Sequence, residues 1–219
     1  MPEILPSAHM HWNLTHLLRR LMPEGGRSTS TIRSVDYASD FQAARQRSIH
    51  WGLLPPSFEA VPTRYASTTL RASINSILDP WLSRLTEDEL TLHRFTVLAH
   101  AREILQGKLR LPIAYTIGYV QISGRSLCRT PIIGLEQMLR TGIAPNARIC
   151  LHGWLTLPSY EIVDPTFWAL LPQLSSSEER DAKLLLGHPD DLGERSYHPQ
   201  WIGEGFVRRI GILKEYEGW

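Results

Sequence analysis

The stretch from Ala147 to Thr166 constrains this chain more than any other. Ala147-Arg148-Ile149-Cys150-Leu151-His152-Gly153-Trp154-Leu155-Thr156 and Tyr160-Glu161-Ile162-Val163-Asp164 are two short extended runs separated by Leu157-Pro158-Ser159. Apolar and β-branched runs flanking a Pro–Ser turn predict a β-hairpin. Pairing the two strands lets the His152 imidazole meet the Asp164 carboxylate, the arrangement that orients a general base. The bland alternatives are a strand histidine packed near Trp154 and an Asp164-Pro165 turn initiator. Cys150 alternates with His152 and shares its face. It is expected as a buried core thiol; exposed, it becomes an alternative nucleophile.

The flanking segments read as α+β. Tyr37 to Ile49 suits a short helix, and Pro55-Pro56 and Pro62 interrupt regular structure beyond it. Leu70, Ile74, Ile77, Leu78, Trp81, Leu82 and Leu85 recur at helical spacing, with Pro80 either kinking that helix or starting a new one capped by Asp79. Thr86-Glu87-Asp88-Glu89 is a capping box, and the helix it opens is expected to close at Gly107. Ile113 to Ile122 predicts a strand ended by Gly124. Thr130 and Pro131 predict an N-cap and first residue for a helix closed by Gly142. Ser175 or Ser176 is expected to cap a helix ending at Gly187, His188–Pro199 reads as loop, and Gly205–Leu213 as a last strand. Helices followed by mostly antiparallel strands argue for N-terminal helices packed on a sheet over residues 113–213. Residues 1–66 are expected as an arm or small lobe and 67–219 as the α+β core domain.

Composition excludes several function classes. The 219 residues carry a formal charge of +1, which argues against a nucleic-acid stripe; Arg19-Arg20, Arg45-Gln46-Arg47 and Arg208-Arg209 read as solvated faces. No apolar run reaches membrane-span length, and Glu3, Pro6 and His9 interrupt any leader-like segment. Two cysteines, Cys128 and Cys150, without a leader pattern favour free thiols and a cytoplasmic location. No phosphate-binding glycine loop is present, and no cofactor is expected. His9, His11 and His16 lack a third ligand at convincing spacing, so no metal is expected. Trp201 and Trp219 lie in polar flanks and are candidates for a partner surface.

Residues 86–167, with His152-Gly153-Trp154 followed by Val163-Asp164-Pro165-Thr166-Phe167, resemble the core of the transglutaminase-like and papain-like cysteine-protease superfold. In that superfold a cysteine at a helix N-terminus precedes a histidine strand and a strand ending in Asp-Pro-Thr. The resemblance admits two alignments. In one, the helix from Glu87 to Gln106 stands for the nucleophile helix; it offers Leu92, His93, Arg94 and Phe95 and no thiol, which implies an inactive relative that binds a protein partner. In the other, Cys128 precedes the helix opened by Thr130-Pro131. There the helix dipole, Arg125 and Arg129 are expected to lower its pKa. The resemblance then implies a Cys128–His152–Asp164 triad for amide hydrolysis, deamidation or acyl transfer on a protein or peptide. Trp154 and Tyr119 would flank the pocket, and Gln121 would supply an oxyanion donor.

Overall fold

Asp36 starts the first helix, its side chain accepting from the Ala38 N–H at 3.1 Å. The computed structural model describes residues 36–65, 68–143, 150–170 and 184–213. Helix α1 (Tyr37–His50) is followed by α2 (Thr68–Leu82), α3 (Glu87–Leu92) and α4 (Arg94–Leu109). Then come β1 (Ala114–Ile122), β2 (Arg125–Leu127), α5 (Ile132–Thr141), β3 (His152–Thr156), β4 (Ile162–Asp164) and α6 (Phe167–Leu170). Strand β5 (Leu185–Gly187), a 3-10 turn at Pro189–Asp191, β6 (Arg195–Ile202) and α7 (Gly205–Arg209) complete the described chain. The class is α+β, and among the described residues every strand pairing is antiparallel.

Strand alternation divides the core in two. Tyr115, Ile117, Leu155, Val163, Leu186 and Trp201 face α2, α4 and α5, whose Leu78, Leu98 and Leu135 are fully buried. Ala114, Val120, Trp154, Ile162, Leu185 and Tyr197 face Tyr37 and Phe41 of α1. Both faces of the sheet are therefore covered, which is why all five residues of β3 are buried.

Strand β1 organises the sheet. One of its edges pairs with β6 along residues 116–122. The other is shared, with β3 opposite residues 114–118 and β2 opposite residues 120–122. That edge is interrupted at Tyr119, between the two partners. Pro199 and Gln200 make the bulge in β6: Gly118 pairs with Pro199 and Ile117 with Trp201, leaving Gln200 as the extra residue. Helix α1 closes the outer edge of β6, where Arg47 donates to the Gln200 carbonyl at 2.6 Å and Ser48 Oγ accepts from the Ile202 N–H at 2.9 Å. Residues 36–65 thus pack with the sheet, as part of the unit spanning Val35–Trp219. The Val61 N–H donates to the Pro158 carbonyl in the β3–β4 turn.

Several elements differ from expectation. The Thr86 capping box forms, but its helix breaks at His93 (φ −108°, ψ 19°) and restarts as α4. Gly107 stays inside α4, which ends instead at Arg110 in the left-handed region (φ 54°). Pro80 is accommodated within α2. Pro131, rather than Thr130, is the N-cap of α5. Leu185–Gly187 is a strand, not the end of a helix, and the segment read as loop, His188–Pro199, holds the first part of β6. Residues 205–209 form a helix: Phe206, Val207 and Ile210 are buried at helical spacing, and a Cβ on Gly205 would lie 2.4 Å from the Leu53 carbonyl oxygen. Trp201 is fully buried and stacked on Phe206 at 5.1 Å, so it presents no partner surface. Ser175, Ser176, Trp219 and the N-terminal histidines lie outside the described residues.

Candidate functional site

The predicted hairpin forms, with Leu155 opposite Val163. At its end His152 Nε2 lies 2.6 Å from Asp164 Oδ2. Asp164 is fully buried and receives three further donors: Tyr197 OH to Oδ2 at 2.8 Å, and the Thr166 N–H and hydroxyl to Oδ1 at 3.0 and 3.3 Å. Four donors converging on one carboxylate make it an acceptor at both oxygens, so Nε2 carries the ring proton. The other ring nitrogen, Nδ1, is buried and has no partner among the described residues. Burial, then the adjacent Asp164 charge, hold the Tyr197 phenol well above its usual range, keeping it a donor. Trp154, Tyr197 and Phe167 surround the imidazole at ring separations of 5.9, 6.3 and 6.5 Å.

The thiols are arranged differently from expectation. Cys128 does not stand at a helix N-terminus. It comes after β2 in the left-handed region (φ 56°), before the Pro131 cap of α5. Nor does it bond His152. Its S–H donates to Cys150, and that bond, followed by burial, pushes its pKa up rather than down. Cys150 is exposed, which overturns the buried-core expectation. Accepting from Cys128 lowers its pKa to about 7, helped by the charges of Arg94 and His152 against the opposing effect of burial. The cation acting on both thiols is Arg94, at the start of α4. Arg129 instead lies over the Tyr119 ring at 5.2 Å. Thr130, expected as a cap, donates its hydroxyl to the Cys150 carbonyl at 2.8 Å, and Gln200 Nε2 donates to the Thr130 carbonyl at 2.8 Å.

Of the three expected pocket residues, Trp154 lies beside the imidazole and Gln121 and Tyr119 do not. Trp154 is fully buried and its indole N–H is committed to Tyr37 OH at 2.8 Å. That hydroxyl continues to Thr156 Oγ1 at 2.7 Å and from there to Thr116 Oγ1 at 2.8 Å. Gln121 donates to Ser126 Oγ at 3.0 Å, three residues along β1 from the Gly118 that pairs with His152, or roughly 10 Å away. Tyr119 stacks on His198 at 4.6 Å. It alternates with Gly118, so it leaves the opposite face of β1.

The hairpin thus unites His152 and Asp164, while the meeting of β2 and β3 unites Cys128 and Cys150. Sequence reasoning misses Tyr197, which lies in the segment that reads as loop, and Arg94, which carries no sequence mark of its place beside the thiols. Among the described residues no group of acidic, histidine and cysteine side chains is placed to hold a metal ion. Nor is any described helix long and apolar enough to cross a membrane. No family model, curated protein or solved structure matches the chain.

Proposed function

We propose that this protein is a cysteine-dependent amide hydrolase, deamidase or acyl transferase in which Cys150, rather than Cys128, is the nucleophile. The observation that carries this reading is an exposed thiol of lowered pKa just before β3 and, two residues on at the start of that strand, an imidazole oriented by Asp164. The fold reading that goes with it is a transglutaminase-like or papain-like core, with α4 laid against a histidine strand and an Asp-Pro-Thr strand end.

The donors and acceptors set the chemistry. Cys150 passes its proton to His152 Nδ1, the thiolate attacks the acyl carbon of an amide, and the resulting oxyanion collapses with loss of the amine. His152, protonated at Nδ1, gives the leaving nitrogen its proton. Water or an acceptor amine then attacks the thioester, breaking its C–S bond to release the Cys150 thiolate, and yields its proton to Nδ1. Asp164 keeps Nε2 protonated throughout, so the exchangeable lone pair stays on Nδ1. For these steps the Cys150 side chain must rotate from Cys128 toward His152.

A second reading is an inactive relative that binds a protein partner. It is favoured by the absence of a thiol at the start of α4, where His93 and Arg94 stand.

Alkylation of the native protein with iodoacetamide between pH 5 and 9, with the labelled cysteine located by peptide mass spectrometry, separates the two. The live site predicts labelling at Cys150 that rises with pH through a midpoint near 7. Arg94→Ala should move that midpoint up, because a guanidinium favours the thiolate. His152→Ala should abolish the enhanced rate. Labelling with the profile of an ordinary free thiol, indifferent to His152, would sink the enzyme reading and leave the binding protein.

A further inference from the structure

Cys128 and Cys150 are 22 positions apart in sequence yet meet at one place in the sheet. Strands β2 and β3 lie one after the other along the same edge of β1, and Tyr119 marks the gap between them. Cys128 is the residue that leaves β2 at this gap, and Cys150 is the second residue before β3 begins. Side-chain donors hold the two segments together: the Thr130 hydroxyl donates to the Cys150 carbonyl, and Gln200 Nε2 of the β6 bulge donates to the Thr130 carbonyl. Cys128 itself adopts a positive φ, a conformation that L-residues rarely take and that persists only where surroundings impose it. Cysteine is among the most buried residue types, so an exposed thiol resting on a second, half-buried one is not accounted for by packing.

We propose that Cys128 and Cys150 are a redox-active dithiol that undergoes exchange with low-molecular-weight disulfides, Cys150 attacking and Cys128 resolving. In the first step the Cys150 thiolate displaces one thiolate from the external disulfide, forming a mixed disulfide at Cys150. In the second, Cys128 loses its proton to solvent and attacks Cys150 Sγ. The Cys128–Cys150 bond forms, the second external thiolate leaves, and one external disulfide has been reduced to two thiols as two protein thiols are oxidised to one disulfide. The asymmetry of the pair sets the order: the exposed sulfur is the one an external disulfide can reach, and it is also the one whose thiolate Cys128 stabilises by hydrogen bonding. This uses the same Cys150 as the acyl-transfer reading but needs neither His152 nor a substrate acyl group. Closure would also withdraw Cys150 from any acyl chemistry.

The test uses the full-length native protein equilibrated in glutathione buffers from fully reduced to fully oxidised, quenched with acid and mapped by non-reducing peptide mass spectrometry. The expected result is loss of both free thiols together and appearance of a Cys128–Cys150 cross-linked peptide. In Cys128→Ser a stable glutathione adduct should accumulate on Cys150, and in Cys150→Ser the remaining Cys128 should stay unmodified over the same exposure. Free thiols in the most oxidising buffer would overturn the proposal, as would wild-type protein that stops at a Cys150 adduct with Cys128 free. Attack by Cys128 in Cys150→Ser at the rate of the wild-type adduct would overturn the assigned order. Because the readout involves no acyl substrate and no His152 variant, its failure leaves the acyl-transfer test standing, and the converse holds.

Discussion

Asp164 is the residue on which the hairpin end depends. It is fully buried, and His152, Tyr197 and Thr166 all direct donors at it. Removing an acceptor from such a cluster leaves several buried donors unsatisfied, which costs more than the bonds contribute when formed. Asp164→Ala should destabilise the fold by roughly 3–5 kcal/mol. Tyr197→Phe, which deletes one donor and leaves the others in place, should cost about 2 kcal/mol. Urea denaturation of the two variants checks the order; equal losses would mean that the carboxylate is not the shared acceptor. At this scale the sequence was informative where two partners lie in one hairpin, as His152 and Asp164 do. It was silent on Tyr197, 33 positions beyond Asp164, because a phenol in a polar stretch carries no local mark of its partner.

Among the elements, α3 shows what local chemistry determines unaided. The Thr86 hydroxyl accepts from the Glu89 N–H, and the Glu89 carboxylate accepts in return from the Thr86 N–H and hydroxyl. All of these groups lie within four residues, so the sequence pattern suffices to predict the cap. Thr86→Ala should cost about 1 kcal/mol. Thr86's backbone N–H, then its hydroxyl, hold the Glu89 carboxyl below its usual range. A depressed folded pKa contributes stability that is fully present above the unfolded value and is lost as pH falls through the folded one. The stability difference between wild type and Glu89→Gln should therefore shrink on acidification through the carboxylate range, measured by denaturation at neutral and acid pH. The break at His93 has no such local signature: α4 restarts there to lay Phe95 and Leu98 against Gly153 of β3. Strand β6 was hidden for a related reason. Pro199 and its polar neighbours argue against a strand until Gln200 is seen to bulge beside β1 and α1 to cover the outer edge.

For the molecule as a whole, the packing of α1 on the sheet is decisive. Tyr37 and Phe41 cover the face that carries Trp154 and Tyr197, and Ser48 and Arg47 satisfy the edge of β6. A fragment beginning at residue 67 should therefore lose the cooperative unfolding of the full chain and bind a hydrophobic dye such as ANS; calorimetry and dye fluorescence read the outcome. Cooperative unfolding of that fragment would show that residues 36–65 are dispensable. The sequence by itself determined the features whose partners are close along the chain: the Thr86 cap, the strand from Ala114, the hairpin with its His152–Asp164 pair, and the α+β class. The tertiary structure alone decided which edge of β1 each strand occupies, and with it the meeting of Cys128 with Cys150 and the loss of the expected Cys128–His152 pair. The physical reason is that hydrogen bonding and side-chain periodicity act over a few residues and leave a readable spacing. Strand order, edge coverage and burial on both sheet faces instead emerge from contacts between distant segments, which no single segment encodes.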